Sequence, residues 1–176
     1  PSFVNYVEGI YVGYRFYETA AKEGAINYAG YVQYPFGYGL SYTNFTKEMG
    51  EIVANNGKIS VDVLVTNTGN VAGKDVVQLY FNPPYTNGGI EKASTNLIGF
   101  AKTKLLQPGE SETVKITFVV EDMSSFDEKI KKAYVLEKGV YEISLQEDSH
   151  NILDTRTFPL EDDIVYGDTN KRSSDD

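Results

Sequence analysis

The sequence of 176 residues contains no cysteine, no tryptophan and a single histidine. Without cysteine, the chain has no disulfide framework, no thiolate metal site and no cysteine nucleophile. A zinc site is excluded on the same grounds, because one histidine is too few to replace the missing thiolates. No apolar run approaches the roughly 18 residues that cross a bilayer as a helix. The chain begins with Pro1, without a methionine or a signal peptide, so we expect a piece of a longer protein.

The charge of the chain is acidic, with a formal net value of −9. No basic patch interrupts it, and binding to nucleic acid or to anionic membranes requires one. We therefore expect neither partner. The composition leaves the compartment and the oligomeric state open.

Short runs of alternating apolar and polar residues follow from about residue 41 onward. A period of two is typical of half-buried strands, and turn sequences such as Asn55-Asn56-Gly57 and Pro108-Gly109 separate these runs. The predicted strands are residues 59–66, 75–81, 97–100, 114–120, 134–137, 140–145 and 155–160.

Seven short strands without a convincing helix predict an all-β fold, an immunoglobulin-like β-sandwich of about seven strands. One side of each alternating strand supplies the predicted core. Its members are Val61, Val63, Val65, Leu79, Phe81, Ile116, Phe118, Tyr141, Ile143 and Leu145.

The first 45 residues form an irregular tyrosine- and glycine-rich segment, the N-terminal arm, which holds nine of the 14 tyrosines. Residues 8–18 fit a strand or a short helix equally well, and residues 20–33 are predicted to be a loop. A segment this rich in tyrosine cannot cover its own apolar surface, so we expect it to lie against something larger. Residues 161–176 are acidic and poor in apolar residues, which predicts a linker or tail that is disordered unless it docks.

Few polar residues are candidates for catalysis or metal binding. His150 lies in a polar run between two predicted strands, where an exposed turn histidine is the favoured interpretation over a general base. Asp162, Asp163 and Asp168 lack the spacing and glycine of a calcium-binding loop. We therefore predict no metal ligand, no cofactor and no histidine-dependent catalysis.

Carbohydrate chemistry leaves two further candidates. Hydrolysis of a glycosidic bond needs two carboxylates across that bond. Most carboxylates here fall on outward-facing strand positions or turns. Glu8 is the expected exception. For Glu8 we favour a structural ion pair with Arg15 over a substrate role. Tyr80 and Tyr85 could form a small sugar-binding platform, although tyrosines that anchor a loop are commoner.

Several long motifs then occur together in order. Residues 34–45 read YPFGYGLSYTNF, and residues 65–80 read VTNTGNVAGKDVVQLY. The remaining motifs are YVEGIYVGYRFY at 6–17, LIGFAKT at 97–103, LQPGES at 106–111 and GVYEI at 139–143. Together they resemble glycoside hydrolase family 3, of the β-glucosidase and β-xylosidase type, over residues 6–160.

This resemblance implies a domain organisation. Residues 1–40 would be the end segment of the family's α/β-sandwich domain with its linker, residues 41–160 a fibronectin-III-like β-sandwich, and residues 161–176 an acidic linker or tail. The tail resembles the linker of members in which the barrel domain follows the fibronectin-like domain.

The resemblance also implies a function for the parent protein, which would hydrolyse terminal β-glucosides or β-xylosides with retention. Its aspartate nucleophile would belong to a (β/α)8 barrel and its glutamate acid/base to an earlier stretch of the α/β sandwich. Neither motif occurs in these 176 residues, so no catalytic or substrate-binding residue is carried over. The leading hypothesis is a non-catalytic accessory portion that braces the catalytic domains. The alternatives are a stand-alone module that binds glycans or a cell surface, and an autonomous enzyme with two converging carboxylates.

Overall fold

The structure, a computed structural model, describes residues 9–173. One α-helix, α1 (Tyr14–Lys22), precedes all the strands, and short 3-10 helices lie at Tyr28–Gly30 and Val120–Met123. The strands are β1 (Phe45–Asn55), β2 (Lys58–Asn67), β3 (Val76–Asn82), β4 (Asn96–Lys102), β5 (Ser111–Val119), β6 (Ser125–Asp127), β7 (Ala133–Leu136), β8 (Gly139–Gln146), β9 (Ile152–Leu160) and β10 (Ile164–Tyr166).

Two antiparallel sheets form the sandwich, with strand orders β1-β2-β5 and β4-β3-β8-β9. A small third sheet has the order β10-β7-β6. The turns follow the predicted chemistry: Asn56 and Gly57 have positive φ angles of 48° and 71° in the β1–β2 hairpin. In the turn before β5, Gly109 has a φ of 78° and the backbone N–H of Glu110 donates to Gln107 O, as a type II turn requires.

One apolar core lies between the two large sheets. All ten residues predicted for it are buried there. Met49, Val77, Leu106, Met123 and Leu136 join them. The all-β, fibronectin-III-like prediction is confirmed, since alternation along each strand is enough to decide which side chains face the partner sheet.

The described residues form ten strands where seven were predicted, and the three missed are β1, β6 and β10. In β1 only Met49 is buried, and a register shift between Met49 and Ile52 breaks the alternation that would have revealed the strand. The other two have three residues each, too few to show a period. In the predicted tail, Ile164–Tyr166 pairs with β7, so this part of the acidic segment is docked.

The arm contains the helix α1, which decides the open choice between strand and helix and corrects the expectation of no convincing helix. Tyr14, Glu18 and Lys22 lie four residues apart and so share one face. Lys22 in the last turn is favourable beside the carbonyl end of the helix. Within residues 9–173, no helix is long and apolar enough to cross a membrane.

The arm packs on the outer face of the four-stranded sheet. Five consecutive residues of β3, from Val77 to Phe81, are buried, which means that both faces of this strand are covered. Val77, Leu79 and Phe81 face the other sheet, whereas Gln78 and Tyr80 lie beneath the arm. The ring of Tyr14 meets the ring of Tyr80 edge-on at 6.2 Å.

Candidate functional site

The arm is attached to the sandwich by a buried carboxylate, Glu18 of α1. Its Oε1 accepts hydrogen bonds from the hydroxyls of Tyr28, at 2.6 Å, and Ser149, at 2.7 Å. Its Oε2 lies 2.8 Å from His150 Nδ1. The imidazole of His150 also stacks on the ring of Tyr28, with centroids 3.7 Å apart and planes 5° from parallel. Glu18 thus connects α1 both to the β8–β9 turn and to Tyr28 in a second part of the arm.

Burial and the neighbouring carboxylate set the ionisation of the tyrosines in this region. Burial raises the pKa of the Tyr28 hydroxyl, and the hydrogen bond to Glu18 raises it further. Burial likewise raises the pKa of Tyr80. Both hydroxyls therefore stay protonated as hydrogen-bond donors at neutral pH, and neither is poised to act as a base.

Further polar contacts hold the rest of the arm in place. The Tyr14 hydroxyl accepts from the backbone N–H of Leu97 at 2.9 Å, and Gln78 Nε2 donates to Gly37 O at 3.1 Å. The backbone N–H of Ser149 donates to Phe36 O at 2.8 Å. From residue 14 onward, the arm is therefore held by specific hydrogen bonds as well as by aromatic contacts.

The opposite side of the arm is apolar and faces solvent. Leu40 is 89% exposed and Tyr42 is 99% exposed. We call the exposed side chains of this stretch the docking face; its members are Tyr31, Tyr34, Phe36, Tyr38, Leu40 and Tyr42. Large apolar side chains concentrated in so short a stretch are typical of a surface that another protein part covers.

A cleft separates α1 from the loop between β3 and β4. Its volume is about 720 Å³, and Tyr11, Tyr85, Asn82 and Lys22 line it. The loop is fixed by Lys92, whose buried ammonium donates to Pro84 O at 2.5 Å and forms an ion pair with Glu137.

The residues considered for catalysis do not converge. His150 lies in the β8–β9 turn and is exposed, as expected, although its ring is held by Glu18 and Tyr28. Arg15 lies on α1, whereas Glu8 lies outside the described residues, so their predicted ion pair stays a prediction. Asp162, Asp163 and Asp168 are all exposed, and within residues 9–173 no three acidic or histidine side chains are placed to hold a metal ion.

One expectation about individual side chains is wrong, and one alternative that was not favoured is excluded. Glu18, Asp127 and Asp148 are buried, so Glu8 is not the sole exception among the carboxylates. Tyr80 is fully buried, and its hydroxyl donates to Gln78 Oε1, so it cannot form a sugar platform with Tyr85.

Sequence reasoning missed Glu18 and Lys92 for different reasons. The four-residue spacing of Tyr14 and Glu18 would have placed both on one face, had the helix been recognised. Nothing local to Lys92 signals that its ammonium is buried, since the groups that bind it come from Pro84 and Glu137.

Comparison with known proteins gives two consistent results. A family model for the fibronectin type III-like domain matches residues 75–149. β-Glucosidase A of Butyrivibrio fibrisolvens is 43% identical to 93% of this chain, and a β-glucosidase of Kluyveromyces marxianus is 37% identical to 94% of it. The chain spans about a fifth of the length of these relatives, 21% and 20%.

Solved structures agree with this result. β-Glucosidase 3B from Thermotoga neapolitana, in complex with α-D-glucose, superposes with a TM-score of 0.76 at 37% identity, over 89% of this chain and 20% of that one. The Kluyveromyces marxianus β-glucosidase in complex with glucose gives a TM-score of 0.78 at 35% identity, over 89% and 18%. The similarity therefore extends from the sandwich into the arm.

Proposed function

Because this chain corresponds to the fibronectin type III-like portion of family 3 β-glucosidases, we propose that it braces the catalytic domains of a parent glycosidase and contributes no catalytic residue. The docking face supports this proposal most directly. Six large side chains of residues 31–42 are exposed, although Tyr14 and Glu18 of the same arm are bound to the sandwich. About four-fifths of each relative lies outside the matched region, so the catalytic domains are the proposed occupant of this face.

The parent enzyme, on this proposal, hydrolyses terminal β-glucosides or β-xylosides with retention of configuration. The chain meets the hydrolysed substrate only through the parent, and neither nucleic acid nor a membrane is a partner, in keeping with the net charge of −9. Within the chain, residues 1–40 belong to the end of the α/β-sandwich domain and its linker, residues 41–160 to the fibronectin-III-like domain and residues 161–176 to a linker or tail.

A chimeric enzyme tests the bracing role. This chain replaces the matching stretch of Butyrivibrio fibrisolvens β-glucosidase A, and hydrolysis of an aryl β-glucoside is measured together with thermal unfolding. We expect the chimera to be active and the isolated 176-residue chain to show no turnover.

The double variant Leu40→Ser/Tyr42→Ser then removes the centre of the docking face. Burying a large apolar side chain contributes about 1.5–3 kcal/mol, so the two changes should cost the chimera about 3 kcal/mol or more and lower its unfolding midpoint and activity. Val53→Ser is the matched control, because Val53 is also exposed but lies on β1, outside the arm. A double variant as stable and active as the parent chimera would refute the proposal, as would turnover by the isolated chain that survives repurification.

A further inference from the structure

The cleft beside α1 is long and open rather than deep. The main cavity of about 720 Å³ adjoins a second of about 190 Å³ that follows the helix toward His150. The two share Lys22, Asn82, Ser94 and Glu142 as lining residues. The volume falls within the range of ligand sites in proteins, and the elongated shape suits a chain-like ligand.

One rim of the cleft is a rigid loop that presents an aromatic ring. Tyr85 is 46% exposed and follows Pro83-Pro84, whose φ angles are fixed by their rings. Lys92 anchors the loop at Pro84 O, and Pro84 packs so closely on Gly139 that a Cβ there would lie 2.8 Å from the Pro84 Cβ. Because this loop is already ordered, binding a ligand at Tyr85 does not carry the entropic cost of ordering the loop.

Tyr11 supplies a second ring to the lining of the cleft. It is 37% exposed, and its hydroxyl donates to Glu91 Oε2 at 2.8 Å. Burial and this carboxylate raise the pKa of Tyr11 to about 12, so the phenol remains neutral. Two aromatic rings, those of Tyr11 and Tyr85, therefore line the cleft.

The charges that line the main cavity cancel. The charged lining residues are two lysines, Lys22 and Lys92, and two glutamates, Glu23 and Glu142, so their formal charges sum to zero. Asn82 and Glu142 also line the cavity, and we call this pair its floor; Asn82 Nδ2 donates to Glu142 Oε2 at 2.6 Å, so the floor carries amide and carboxylate oxygens. Such a site disfavours phosphates and other strongly charged ligands, whereas it offers hydrogen-bonding partners for hydroxyl groups.

We propose that this cleft is a non-catalytic binding site for a neutral oligosaccharide, whose C–H faces pack on Tyr85 and Tyr11 while its hydroxyls bond to the floor. Aromatic rings supply apolar contact area at small entropic cost, and the paired amide and carboxylate supply orientation. None of the six docking-face side chains lines either cavity, so the cleft and the docking face are separate surfaces. Binding an oligosaccharide is a function in addition to bracing, and the bound sugar is held without being cleaved.

The test is a titration of the full 176-residue chain with cellotetraose and, separately, with xylotetraose. Amide chemical shifts in NMR spectra report the binding. At least one sugar should cause saturable shifts around Asn82, Tyr85 and Glu142. Tyr85→Ala should weaken binding about tenfold, which corresponds to about 1.4 kcal/mol, whereas Tyr85→Phe keeps the ring and should stay within about twofold.

Tyr42→Ala is the matched control, because it removes an even more exposed tyrosine ring from the other side of the arm. Its affinity should equal that of the unmodified chain. The proposal is overturned if neither sugar gives saturable shifts at millimolar concentration, or if Tyr85→Ala and Tyr42→Ala bind equally well.

Discussion

At the scale of residues, two buried ionisable side chains connect distant segments: Glu18 in the arm and Lys92 in the β3–β4 loop. The Glu18 carboxylate contacts Tyr28, Ser149 and His150, and the Lys92 ammonium contacts Pro84 and Glu137. Burying a charge is costly unless hydrogen bonds replace its lost water. Both side chains have such hydrogen bonds. Each one therefore connects segments that are distant in sequence without destabilising the fold.

Replacing Glu18 with alanine should loosen the arm. Two hydroxyls and a ring nitrogen lose their shared partner, which predicts a loss of about 2–3 kcal/mol in the free energy of unfolding. Urea denaturation measures the loss, and amide hydrogen exchange should show it concentrated in α1. Glu23→Ala, one turn further along and exposed, is the control and should change little. A loss below about 0.5 kcal/mol for Glu18→Ala would mean that the aromatic contacts and the remaining hydrogen bonds hold the arm without Glu18.

Asp127 should make the stability of the protein depend on pH. The Asp127 carboxylate accepts backbone N–H groups of Lys129, Ile130 and Lys131, and the bonds from Ile130 and Lys131 hold its pKa below the usual value. The stabilisation is present above the ordinary aspartate pKa of about 4 and is lost as the pH falls through the lower folded-state value.

Asp127→Asn should accordingly flatten the acid side of the stability profile, recorded as the urea midpoint against pH. The exposed Asp168→Asn serves for comparison and should retain the slope of the unmodified chain. Identical acid slopes for Asp127→Asn and the unmodified chain would show that other carboxylates cause the acid sensitivity.

At the scale of elements, hydrogen bonds fix the join between the arm and the sandwich. Thr43 Oγ1 donates to Asn67 Oδ1 at 2.8 Å, and the backbone N–H of Gly69 donates to the same oxygen at 3.0 Å. The backbone N–H of Thr68 donates to Asn44 O at 2.8 Å. The turn after β2 thus fixes the point at which the arm passes into β1.

Gly69→Ala tests this join. A Cβ at Gly69 would lie 2.1 Å from Thr43 Oγ1 and 2.7 Å from the backbone N of Asn44, so the backbone must shift. We expect destabilisation of about 1–3 kcal/mol in urea denaturation. Gly39→Ala is the control, because a Cβ there meets nothing within 4 Å. Equal stability of the two variants would show that the turn can move without cost.

At the scale of the whole molecule, the arm acts as a third layer over the four-stranded sheet. It buries Tyr80 from the outer side and leaves its own apolar surface, the docking face, toward solvent. This arrangement agrees with a chain that matches about a fifth of each relative, since a part of a larger enzyme must offer a surface to the remainder. The cleft beside α1 exists only because the arm is seated there.

The sequence by itself determined the sandwich. Alternation identified seven strands and all ten predicted core residues, because the side-chain period of a strand is a local property. Turn chemistry at Gly57 and Gly109 was equally local, and the ordered motifs pointed to the family. Strands β6, β10 and β1 were not predicted, because the first two are short and β1 has a bulge, so none shows an uninterrupted alternation of apolar and polar residues.

Only the tertiary structure decided what covers the outer face of the sheet. Tyr80 looked like a surface residue, and its burial depends on Tyr14, 66 positions earlier. Glu18 meets Ser149 and His150 across 131 and 132 positions, a pairing that no local pattern encodes. Hydrogen bonds and packing between distant segments have no period along the chain, so the seating of the arm and the cleft beneath it became visible only in three dimensions.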